Sequence, residues 1–335
     1  MLKETISKRI FATESDVIAY ILLTVTMVIW GSTWPLGRLL VTDASDFPQL
    51  MIAAIRYYIV VPVFLLILRM KEGSFQIQFL RENLVLLLIM GTISVTIYQA
   101  GYLFGESYTS ASDASLIVAT SPIWVLLITT ILFRYQLDWK KIAGVLLGFT
   151  GVLIIVGFSP NVNVENRMLG NAWILVAAVS YATYTVLLKE IRNKYSTNAE
   201  NKASPLAVVT WVSVLGALTL LPVSFYLNPE YLSIDPYLQI PGVIWFGILY
   251  LAFLSTILGF LTYIEGVNRL DPNRAVIFVN LIPLIGIALS GLFLGEKIDI
   301  VVHSISFGLI AFGVILVNRK RTKNNQIADG KLSST

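Results

Sequence analysis

The chain has 335 residues, 56% of them hydrophobic and only 13% charged, with a net charge of +4 and a mean hydropathy of +0.77. A soluble domain carries about 25% charged residues, so this chain has too little polar surface to cover a water-facing globule. With no cysteine and a single histidine, His303, it excludes disulfides, thiolate metal sites and multi-histidine centres.

A bilayer admits only helices and closed barrels, and long continuous apolar runs are not the short alternating strands of a barrel. The composition therefore predicts an all-α polytopic protein with the lipid bilayer as its main partner. In chain order, residues 1–16 form a polar N-terminal segment. The first apolar run, Val17–Gly37, has 21 residues without an interior charge. It is read as a retained span, because a cleaved signal has a shorter core and a small-residue cleavage site. The next runs are Pro48–Leu68, Leu84–Gly105, Ala114–Phe133, Ile142–Phe158, Leu169–Leu188, Pro205–Leu227, Gly242–Ile264, Ala275–Leu294 and Ile300–Val317. Each is near the ~20 residues that cross a ~30 Å core. The tail, 318–335, is basic and then polar. It is expected to be disordered, with its basic start anchored at the inner leaflet.

Charge orients the spans. Of the 24 Lys and Arg residues, Arg56 lies inside a span and Arg38, Arg167 and Lys297 lie in one set of gaps. All the others fall at the termini or in the alternate gaps. Cytoplasmic loops carry this excess, so ten crossings with both termini in the cytoplasm are expected, and a cell-membrane location with them. The net charge is explained by these loops and argues for no nucleic-acid partner.

The chain also repeats. Residues 91–134, shifted by 161, lie ungapped on 252–295. Ser94 meets Ser255, Tyr102 meets Tyr263, Gly105 meets Gly266, Ala114 meets Ala275, Val118 meets Val279, and Pro122 meets Pro283. Near the start of each half, 30–38 also lies over 181–189, ending on Arg38 and Lys189. The expected halves are 17–158 and 169–317. A repeat of five spans is odd, so the second copy enters the membrane inverted. That architecture is common in secondary transporters, which bind substrate near the midplane between repeats.

These features together resemble the drug/metabolite transporter superfamily, and within it the EamA-type permeases. The residues that carry the likeness are Trp30-Gly31-Ser32 in span one, Arg56 early in span two, and Pro122 and Pro283 in spans four and nine. Gly295-Glu296-Lys297 after span nine, with Gly308 and Gly313 in span ten, adds to it. The resemblance covers about residues 17–317. It implies a ten-helix basket around a central cavity, exporting small organic metabolites such as amino acids or drug-like compounds. The chain departs from the pattern at Arg134-Tyr135-Gln136, where the first half lacks the acidic element of 295–297.

Arg56 sits about eight residues into its span, or about 12 Å deep, where an Arg must face a cavity or a partner. One reading is an anion contact for substrate; the other is a structural Arg bonded to carbonyls. Trp30 and Trp34 share a helix face, near Ser32, Thr33 and Pro35. They read as a stacking wall beside Arg56, or as an interfacial aromatic belt, a reading that suits Trp34 better. Ser94, Tyr98 and Tyr102 form an i, i+4, i+8 stripe that faces protein or water rather than lipid. Gln99, Ser180, Tyr181, Tyr184, Ser255, Thr256 and Asn280 are further cavity candidates, against the alternative of helix packing. Inversion makes Tyr102 and Tyr263 candidate gates at opposite faces, with Pro122 and Pro283 as matched bends.

No carboxylate falls deep in a span by this reading. Glu265 reads as a loop charge near Arg269. Glu296 and Asp299 read as a capped, charge-paired turn beside Lys297, and His303 as a packed histidine. No phosphate loop, paired acidic Mg²⁺ motif or Ser–His arrangement is present, so neither an enzyme nor a cofactor or metal is expected. The partner is a small-molecule metabolite, and the oligomeric state is open. The alternatives are an importer or exchanger, and a membrane enzyme acting on a lipid-linked substrate.

Overall fold

The structure is a computed structural model that describes residues 2–42, 47–134, 137–160, 166–196, 204–270 and 278–318. Among these residues it is helical, with no strand. The helices are α1 (Leu2–Thr42), α2 (Gln49–Glu72), α3 (Ile77–Tyr108), α4 (Ala111–Phe133), α5 (Trp139–Phe158), α6 (Arg167–Ser196), α7 (Pro205–Leu227), α8 (Gly242–Arg269), α9 (Leu281–Leu294) and α10 (Ile300–Asn318). All but α9 are long and apolar enough to cross a membrane. The start expected for the ninth span, Ala275, lies outside the described residues, as do Tyr135, Gln136 and the tail from 319. The backbone of the N-terminal segment is helical from Leu2 and runs into the first span without a break.

Local signals set the helix ends. The Ser110, Asp138 and Ser204 side chains accept from the backbone N–H groups of Asp113, Lys141 and Ala207 and cap α4, α5 and α7. Gly73 and Gly295 end α2 and α9 at φ of 68° and 62°, a left-handed conformation that glycine adopts without a Cβ clash. Inside the spans two helices loosen. Thr92–Ile97 in α3 and Tyr250–Leu258 in α8 are π-helical. Shifted by 161, the first falls within the second.

Packing shows the same symmetry. α5 packs on α10, α2 on α7 and α4 on α9; α1 packs on α8 and α9, as α6 does on α3 and α4. Exchanging each helix for the one five places later maps this pattern onto itself, so the ten helices are two inverted five-helix repeats. Apolar burial drives little of this association in lipid, where close approach of small residues matters more. Gly91 faces the backbone of Gly216, Gly101 faces Ala177, and Gly144 faces Gly313. Large apolar side chains such as Leu146, Leu153, Leu292 and Phe312 point outward, as a lipid-facing surface requires.

The bundle has two ends. The proximal end holds Glu72, Tyr195 and Arg269; the distal end holds Thr42, Tyr108, Phe158 and Glu296.

Candidate substrate site

The π-helical part of α8 organises the centre. A π-turn leaves backbone groups out of α-register, and such turns often mark functional sites. The Trp30 Nε1–H donates to the Ser255 carbonyl oxygen at 3.0 Å. Arg56 donates from Nε and Nη2 to Thr256 Oγ1 at 2.9 and 2.6 Å, and that hydroxyl donates to Leu251 O at 2.8 Å. Ser32 Oγ and the Tyr250 hydroxyl are 2.6 Å apart. Gly259 makes the Trp30 approach possible: a Cβ there would stand 2.6 Å from Nε1. Arg56 and Trp30 are thus fixed on consecutive residues of α8. They share this anchor rather than stacking on each other. Arg56 is buried, with its guanidinium over the Tyr57 ring at 5.6 Å, and its Nη1 makes no hydrogen bond among the described residues.

The two tryptophans of α1 are covered from opposite repeats. Tyr263 of α8 lies on Trp30 with centroids 5.1 Å apart, and Phe260 meets the same ring edge-on. Tyr102 of α3 meets Trp34 edge-on at 5.3 Å, and its hydroxyl donates to Thr33 O at 2.6 Å. Trp34 is only 4% exposed, which rules out the aromatic belt preferred for it from sequence. Gly286 leaves room beside its ring. Tyr98 stacks on Tyr102 and leans toward Tyr181, each at 6.3 Å.

The remaining candidates scatter. Tyr184 is buried in a separate cluster near the proximal end, with Trp211 and Leu215. Gln99 is buried with Oε1 unbonded, and Ser180 is buried. Asn280 is half-buried in the turn before α9. Pro122 follows the Ala119–Thr120 turn that interrupts α4, and Pro283 sits in the first turn of α9.

Below Trp30 and Tyr263 a cleft of ≈ 400 Å³ opens at the proximal end, lined by Leu22, Glu72, Leu206, Thr262, Glu265 and Asn268. Thr262 Oγ1 lies 2.7 Å from that of Thr26, one turn from Trp30. At the distal end the side chains bind helix to helix. Asp113 of α4 accepts from Arg167 Nε of α6 at 3.1 Å, from Arg167 Nη2, and from Ser159 Oγ at 2.8 Å; His303 Nε2 of α10 stands 3.6 Å away. Glu296 accepts from the Ala111 and Ser112 backbone N–H groups at 2.8 and 3.1 Å and from Ser112 Oγ at 2.6 Å.

A family model, described as the EamA-like transporter family, matches residues 17–157 and 168–319. The chain belongs to the EamA-like transporter family, within the drug/metabolite transporter superfamily. Uncharacterized transporter YetK of Bacillus subtilis is 26% identical over 90% of this chain and 87% of its own length. An Escherichia coli protein described as a probable amino-acid metabolite efflux pump is 25% identical over 89% and 91%. A probable terminal-alkyne amino-acid exporter of Streptantibioticus cattleyicolor is 24% identical over 88% and 95%. One crystal structure shares the fold at a TM-score of 0.59 and 18% identity, covering 91% of this chain and 97% of that one. The protein is therefore a multi-pass membrane transporter of this family, built to handle small molecules.

Two sequence readings of this EamA-like chain need correction. Glu296 does not pair within its own turn; its carboxylate caps α4, where a helix N-terminus favours negative charge. Asp299 alone caps its own helix, accepting from Val301 and Val302 N–H at 2.9 and 3.0 Å. The sequence reading also missed two fully buried carboxylates: Asp113 and Glu106, near the distal ends of α4 and α3, have no exposed surface. Glu106 extends the Tyr98–Tyr102 stripe by one more step of four residues, so continuing that spacing would have found it. Thr256 is a cavity candidate from sequence but carries no sign there of its bond to Arg56, and Tyr57 and Tyr250 give no signal of their own.

Proposed function

We propose that this EamA-like transporter exports small organic metabolites across the cell membrane by alternating access, with the proximal end facing the cytoplasm. The segments 17–158 and 169–317 act as the two exchanging halves. Substrate enters by the proximal cleft and meets Arg56, Trp30 and Tyr98, with Gln99, Ser180, Tyr184, Trp34 and Asn280 around the path. Arg56 offers charge-assisted hydrogen bonds to a carboxylate, and the aromatic rings offer stacking faces for an organic body. Two of the relatives are described as acting on amino acids or their metabolites, which suits a cation beside aromatic walls. Tyr102 and Tyr263 serve as the distal and proximal gates, and the turns at Pro122 and Pro283 let α4 and α9 move.

One observation carries the reading. Two tryptophans one turn apart on α1 are each closed by the tyrosine that the repeat places at the same position of the other half. Here the distal pair is bonded to the α1 backbone, while the cleft lies on the proximal side of the other pair. Such an arrangement is what alternating closure about one helix requires.

The test is untargeted mass spectrometry of medium and cytosol from cells expressing the parent chain, Arg56→Ala or no transporter. A metabolite enriched outside with the parent and lost with Arg56→Ala is expected. Equal metabolite profiles in all three, with folded protein in the membrane, overturn the export reading.

A further inference from the structure

Glu106 lies two residues inside the distal end of α3, on the face that carries Tyr98 and Tyr102. Its side chain has no exposed surface, and neither carboxyl oxygen has a hydrogen-bond partner. An ionised carboxylate stripped of water without replacement bonds is the least favourable state for such a group, and proteins avoid it by neutralising the charge. Arg38 of α1 is adjacent, but its Nη1 donates to the Glu106 backbone carbonyl rather than to the carboxyl. The cation is therefore in reach of the carboxyl and not yet paired with it.

The groups around Glu106 leave few other roles. Tyr98 and Tyr102, on its own helix, lie within electrostatic reach of both Glu106 and Arg56. Glu296, from the turn before α10, is the other nearby charge and is bonded to the start of α4. From α4 and α6, Asp113 and Arg167 are paired with each other. From α2, the neutral Gln49 donates to Ser107 at 3.2 Å, and Arg56 is bonded to Thr256. Asp43 and Asp46, in the segment after α1, lie outside the described residues.

We propose that Glu106 is a proton-binding site whose loading closes the distal mouth. The closed arrangement holds it as the neutral acid, buried just distal to the Tyr102–Trp34 pair. The open arrangement holds it as a carboxylate paired with Arg38 and hydrated. On opening, the proton passes from the carboxyl O–H to water at the distal mouth, and on closing it returns from there. No proton crosses the membrane through this group. The closed state binds one proton more than the open state, so acid on the distal side favours closure and alkali favours opening. The open-to-closed ratio changes by up to about tenfold per pH unit. This inference rests on the transport reading for one thing only, that the distal mouth opens.

The chain has no cysteine, so Val41→Cys, half-buried at the distal end of α1, supplies a single thiol. Full-length protein in vesicles, with the two compartments buffered separately, is treated from the distal side with a membrane-impermeant maleimide. Rates are divided by those of Ser233→Cys, on an exposed distal loop, to remove the thiol's own pH dependence. The ratio is expected to rise with distal pH, to be insensitive to proximal pH, and to stay low and flat when Glu106→Gln is added. Arg38→Gln, which removes the counter-charge, is expected to move the rise to higher pH; it decides the matter if Glu106→Gln fails to insert. An unchanged slope in Glu106→Gln, an unmoved rise in Arg38→Gln, or a mouth that opens equally at every pH overturns the inference alone. A mouth that reacts at no pH overturns the transport reading with it.

Discussion

The two ends of the bundle hold their charges differently. At the distal end Arg38, Arg167, Asp113 and Glu296 are each bonded to another helix or to a helix terminus, in buried or partly buried positions. At the proximal end the Arg269–Glu265 pair lies within one helix, and its side chains are 36% and 49% exposed. The contrast explains the exceptions to the charge asymmetry. With the proximal end facing the cytoplasm as proposed, cations that favour that side are tolerated at the other when the fold engages them, as it does Arg38 and Arg167. The distal bonds tie α1 to α3 and α4 to α6; at the proximal end Lys194 and Tyr195 tie α6 to Asn83 and Glu82 of α3 at 3.0 and 3.1 Å, and the cleft beside them is rimmed by the exposed Glu265.

The contrast can be broken most strongly at Asp113. Asp113→Ala leaves Arg167 partly buried without its anion, and such changes cost about 3–5 kcal/mol; thermal unfolding in detergent is expected to show a correspondingly large loss. A fall under about 1 kcal/mol would mean that the distal seal is not a structural clasp. Next comes Gly313→Ala, where a Cβ would stand 2.6 Å from Gly144 O. Overpacking of that kind costs about 1–3 kcal/mol, whereas Gly308→Ala, in open space five residues earlier, is expected to leave the unfolding midpoint in place. Tyr102→Phe removes the bond to Thr33 O, worth about 0.5–1.5 kcal/mol, and is expected to raise distal labelling of Val41→Cys several-fold. The smallest effect belongs to the proximal end. Glu265→Gln removes an exposed i, i+4 pair worth about 0.3–0.5 kcal/mol, and the unfolding midpoint is expected to move within the scatter of the measurement.

Much of the fold was legible because lipid imposes simple rules. Span lengths, the Lys and Arg asymmetry and the 161-residue shift are one-dimensional signals, and they lead directly to helices and inversion. The site was less legible because its key contacts join residues far apart in sequence. Arg56 could be picked out as an anomaly in its span, but nothing in the string announces that Thr256, two hundred positions later, receives it. Trp34 was misjudged because depth alone suggested an interface, while its burial depends on Tyr102 and Gly286 arriving from other helices. Glu106 was overlooked because span boundaries drawn from hydropathy stop just before it. The helix continues to Tyr108 and carries the acid inside.

The π-helical stretches in α3 and α8 give the two halves something that straight helices lack. Each holds one residue more per turn than its neighbours, a wrinkle that slides when the register moves by one residue. Smoothing it into α-helix turns everything beyond by about 100° and lengthens the rod by about 1.5 Å. In α8 that single slip would carry Ser255 from Trp30 and Thr256 from Arg56 together. Both anchors of the candidate site would then be released by a change of pitch in one helix.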